Sequence, residues 1–114
     1  MMKDAALRLG LAAALISASL APALAQTETG LASIHNLARV GKKLCMTDHY
    51  HYGSGNGRTK ALAERAAIAS WQSFTDFEYG SVWARFSNAA AKRVSCSQSG
   101  GDYSCQVEAR PCRR

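Results

Sequence analysis

Apolar and polar positions alternate with period two in the last third of this chain and recur at helical spacing in its middle. Folding "RVSCSQSGGDYSCQVEA" at Gly100-Gly101, a pair suited to a tight turn, sets Gln98 opposite Tyr103 and Cys96 opposite Cys105. Val94, Cys96, Tyr103, Cys105, Val107 and Ala109 then share one face; Ser95, Ser97, Ser104, Gln106 and Glu108 share the other. So clean a division predicts a hairpin with one buried side. From Thr59 to Phe77 the chain is rich in Ala and free of Gly and Pro, which predicts a helix. Ala63, Ala67, Trp71 and Phe74 form its apolar stripe, broadened by Leu62 and Ala66.

The remaining segments carry weaker patterns. "KLCMTDHYHY" has the β-formers of a strand, and "GSGNG" after it reads as a turn into the helix, which Asn56 or Thr59 would cap. "SVWARFS" alternates as a strand with Val82, Ala84 and Phe86 on one face. Tyr79, Val82, Trp83, Phe86 and Ala90 also fit a helix, but the preceding Gly80 and the content of Val, Trp and Phe favour strand. Residues 26–43 place Leu31, Ile34 and Ala38 at helical spacing, with Thr29 as a cap and Gly41 as a stop. They read as a weak amphipathic helix or flexible lead-in. The fold expected is α+β and two-layered, one long helix packed on a small antiparallel three-stranded meander.

The first 25 residues change the picture of where the chain acts. Lys3 and Arg8 precede the 13-residue run "LGLAAALISASLA", and Ala23-x-Ala25 follows it. That is a signal peptide with cleavage expected after Ala25, its apolar run too short to span a bilayer. The organisation expected is therefore residues 1–25 as signal peptide, 26–43 as lead-in and 44–114 as one small domain without a transmembrane segment. All nine aromatic residues, Tyr50 to Tyr103, lie in that domain. A chain so short needs covalent help to hold its core. Cys45, Cys96, Cys105 and Cys112 read as two disulfides in an exported protein, since no C-x-x-C spacing suggests zinc. The hairpin register favours Cys96–Cys105 and so Cys45–Cys112; a one-residue change at the turn would leave the other two connectivities open.

The net charge is +6, falling to +5 once Lys3, Arg8 and Asp4 are removed. Such a balance suits an anionic surface or another exported protein as partner. The basic residues come as doublets, Lys42-Lys43, Lys92-Arg93 and Arg113-Arg114, with no nucleic-acid-binding motif among them. "CMTDHYHYGSG", "FEYGSVWA" and "CQVEARPC" together resemble a group of small exported proteobacterial proteins with no established activity. The resemblance implies a bacterial protein, periplasmic or secreted, and brings no functional residues with it.

Candidate chemistry concentrates in "DHYHYGSGNG". On a strand, His49 and His51 point to one side and can offer two imidazoles to Zn²⁺, Cu²⁺ or Ni²⁺, with Asp48 as a carboxylate if the backbone bulges. Gly53, Gly55 and Gly57 with Arg58 have the form of an anion-binding loop before a helix, although G-x-G-x-G matches neither the dinucleotide fingerprint nor the P-loop. Two histidines near Lys60 or Arg58 also suggest a small basic nuclease-like hydrolase. No catalytic set is complete. The leading expectation is a disulfide-stabilised binding or structural protein without enzymatic activity or a required cofactor, followed by transition-metal binding and then the hydrolase.

Overall fold

In the computed structural model, residues 30–114 are described. The expected signal peptide and the Thr29 cap lie outside them. The elements run as a short 3₁₀ turn η1 (Gly30–Ile34), strands β1 (Leu37–Val40), β2 (Lys43–Met46) and β3 (His51–Gly57), helix α1 (Lys60–Tyr79), two further 3₁₀ turns (Ser81–Trp83 and Phe86–Asn88), and strands β4 (Ala90–Ser99), β5 (Asp102–Arg110) and β6 (Cys112–Arg113). They form two antiparallel three-stranded sheets, ordered β3-β5-β4 and β1-β2-β6. No helix among the described residues is long and apolar enough to cross a membrane.

The β4–β5 hairpin has the register its alternation predicts: Cys96 faces Cys105, Val94 faces Val107, and Gly100 turns the chain at φ +63°. A bulge between Ala90 and Arg93, with Ala91 at φ +51°, ends the regular pairing. The helix begins where expected, because the Thr59 side chain accepts a hydrogen bond from the Leu62 N–H. Its buried stripe is Ala63, Ala67, Trp71 and Thr75. Phe74, expected inside, lies one position off that stripe and is 48% exposed.

The third strand of the larger sheet is the main correction. "GSGNG" is no turn: it belongs to β3, and all of His51–Gly57 pairs with β5. Its glycines answer to the helix lying on them. A Cβ on Gly53 would overlap the Ala67 carbonyl and come within 2.5 Å of the Trp71 N–H nitrogen; one on Gly55 would strike Ala66 and the Ala67 nitrogen. One on Gly57 would lie 2.8 Å from the Ala63 nitrogen. Helix backbone thus rests nearly on strand backbone. Apolar filling comes from β5, whose Cys105, Val107 and Ala109 join Ala63, Ala67, Trp71 and Ala89 in the core. The Trp71 indole N–H donates to the Ala109 carbonyl.

The expected strand over 81–87 is two 3₁₀ turns instead, with Trp83 buried beside an exposed Val82. The expected meander is therefore right in part: the sheet is antiparallel and three-stranded with its β4–β5 hairpin in place, but β3, from before the helix, takes the place assigned to that segment. Of the helix expected over residues 26–43, the described part, residues 30–43, does not form one. After η1 the chain makes a β1–β2 hairpin, and Gly41, at φ +61°, turns it where a helix stop was expected. Ala32, Met46 and Trp83 form a second buried cluster, flanked by Leu37, Leu44 and Tyr79. Cys45–Cys112 joins β2 to β6 at directly paired positions, as Cys96–Cys105 joins β4 to β5.

Candidate metal centre

His51 opens β3 on the helix-facing side and is 1% exposed. Its Nδ1 lies 2.9 Å from the Thr75 hydroxyl oxygen. The single proton of that hydroxyl is donated to the Trp71 carbonyl at 2.7 Å, so toward His51 the oxygen only accepts. Nδ1 is therefore the protonated nitrogen, and Nε2 carries the lone pair.

That Nε2 sits 2.9 Å from Glu78 Oε2, yet the contact is out of line for a hydrogen bond, leaving a buried ring nitrogen without a hydrogen-bond partner among the described residues. Burial lowers the proton affinity of His51 below the ordinary value, outweighing the opposing charge of Glu78, while His49 and His35 push the same way as burial. A neutral imidazole lone pair thus faces a carboxylate oxygen in a buried corner. The two atoms are close enough to share a proton or a bound cation.

His49, in the loop before β3, completes the group. Ligand atoms of His49, His51 and Glu78 all lie within 4.8 Å of one another. The His49 and His51 rings are 4.9 Å apart between centroids and meet edge to face. Two imidazoles and a carboxylate are a donor set for Zn²⁺, Cu²⁺ or Ni²⁺. The Nδ1–H of His51, held by Thr75, is the outer hydrogen bond that fixes a ligating histidine's tautomer and orientation. Such convergence suits holding an ion better than flanking a scissile bond.

The carboxylate is Glu78 and not Asp48, which is exposed and accepts a hydrogen bond from the Asn36 amide at 3.1 Å. Sequence reading missed Glu78 because the whole length of α1 separates it from β3. The available signal was its place on the helix, three residues after Thr75 and seven after Trp71. Gly53, Gly55 and Gly57 form no anion cradle with Arg58, since their backbones are paired with β5 beneath the helix. A basic cleft exists elsewhere, lined by Val82, Arg85, Ser87, Asn88 and Arg114. His35 and Tyr79 border the metal group: the His35 ring lies 4.8 Å from that of His49, and the Tyr79 ring 4.9 Å from that of His51.

Comparison with family models, with curated proteins and with solved structures finds no match for this chain.

Proposed function

We propose that this protein is a non-enzymatic transition-metal-binding module, holding one Zn²⁺- or Cu²⁺-class ion through His49, His51 and Glu78. The observation that carries the reading is the buried His51 Nε2, without a hydrogen-bond partner among the described residues and 2.9 Å from Glu78. The ion replaces lone-pair repulsion with two bonds. Two disulfides and a small domain are consistent with work in an oxidising compartment, periplasmic or extracellular, where such ions are scavenged or delivered.

Zn²⁺ titration of the oxidised protein against a chromophoric chelator tests this. Wild type is expected to take up one ion, with affinity falling as pH drops through about 6.5, where imidazoles protonate. The His49→Ala/His51→Ala double variant is expected to bind about 100-fold more weakly or worse. Equal uptake by wild type and the double variant would exclude this site.

A further inference from the structure

We propose that His35 is the third imidazole of this centre, its Nε2 held in this structure by the Tyr79 hydroxyl. The inference rests on the metal-binding reading above and names the ligand that closes the site.

All three histidines of the chain gather at this corner, although one comes from the segment before β1 and two from around the start of β3. The His35 and His49 rings are as close as those of His49 and His51, at 4.8 Å and 4.9 Å. His35 Nδ1 lies 2.8 Å from the Leu31 carbonyl, which can only accept, so Nδ1 carries the proton and Nε2 the lone pair. His51 is held in the same tautomer by Thr75. Two histidines from unrelated segments thus each donate one N–H to a protein oxygen and keep Nε2 for a ligand, the arrangement that prepares an imidazole for a metal.

The present partner of His35 Nε2 is the Tyr79 hydroxyl at 3.2 Å, a long hydrogen bond. Toward that lone pair the Tyr79 O–H is the donor. His35 is only half-buried, while Ala32 anchors its segment against Met46 and Trp83. Turning from Tyr79 toward His49 gives three imidazoles and one carboxylate. A four-ligand set closes a tetrahedral centre, which suits holding an ion over activating a water.

The experiment is Zn²⁺ affinity by chelator competition, with Co²⁺ visible spectra, on full-length wild type, His35→Ala and Tyr79→Phe. His35→Ala is expected to bind one ion about 10- to 100-fold more weakly, with Co²⁺ bands altered as solvent replaces an imidazole. Tyr79→Phe, with His35 released, is expected to bind as tightly as wild type or a few-fold tighter. If His35→Ala matches wild type in affinity and spectrum while His49→Ala/His51→Ala abolishes binding, this inference falls and the three-residue site stands. If Tyr79→Phe weakens binding as much as His35→Ala, Tyr79 supports the site and does not hold His35 off. If wild type binds neither ion, both readings fall together.

Discussion

The two sheets each have three strands and one disulfide between directly paired residues, yet they are held by different means. In β3-β5-β4 a twenty-residue helix lies against glycine backbone, and Trp71 is fully buried between the layers. In β1-β2-β6 the strands run four, four and two residues, and the cluster beneath has three buried members. The first is a packed layer that carries an incidental staple. The second is a staple with a little packing around it. Where apolar area is scarce, a covalent bond does what burial does elsewhere.

The sharpest way to break that contrast is to remove each disulfide in turn. Cys45–Cys112 spans 67 residues, and its loss in a Cys45→Ser/Cys112→Ser variant is expected to cost about 4 kcal/mol in urea unfolding. Next comes the packed layer itself. Gly53→Ala drives a methyl into helix backbone and is expected to cost about 3 kcal/mol, whereas Gly101→Ala, with open space around it, should leave the urea midpoint nearly unmoved. Removal of Cys96–Cys105, which spans only 9 residues, should cost about 2.5 kcal/mol. Equal losses for the two disulfides would erase the distinction between the sheets.

The smallest effect sharpens the comparison at the corner where the two units meet. In chelator-treated protein His51 has a lowered proton affinity, chiefly from burial, with Glu78, His49 and His35 as the titratable groups that face it. Above about pH 6.5 it is neutral both folded and unfolded, and its contribution to stability is complete. As pH falls below that, the unfolded chain takes up the proton first and stability declines toward the folded-state value. A urea midpoint lower at about pH 5.5 than at about pH 7.5 is expected. A midpoint that rises on acidification would show that Glu78 outweighs burial.

The hairpin and the helix were legible because each pattern persists over several turns or pairs and ends at a clear signal, Gly100-Gly101 or Thr59. The smaller sheet was not. Its β1 is four residues long, with Ala38, Arg39 and Val40 all exposed, so no alternation marks it, and Leu31, Ile34 and Ala38 fall by accident at helical spacing. Trp83 is buried beside exposed Val82 because 3₁₀ turns follow neither period. Of the candidate centre, His49 and His51 were visible as neighbours. Glu78 and His35 were not, because only the fold brings them together. The glycines misled for a simple reason: glycine usually marks a turn, but alternate glycines facing a stripe of Ala63 and Ala67 mark two backbones in contact.

That contact also limits how this chain can change. Most protein cores drift through paired substitutions, a larger side chain here allowing a smaller one there, and the layer keeps its thickness. Between β3 and the first half of α1 there is almost no side-chain layer to trade with: glycine has nothing to give up, and alanine a single methyl. Random replacement at Gly53 and Gly55 should therefore return the wild-type residue almost alone, even when α1 is varied with them. The serines on the opposite face of the same sheet, open to solvent, should accept nearly anything.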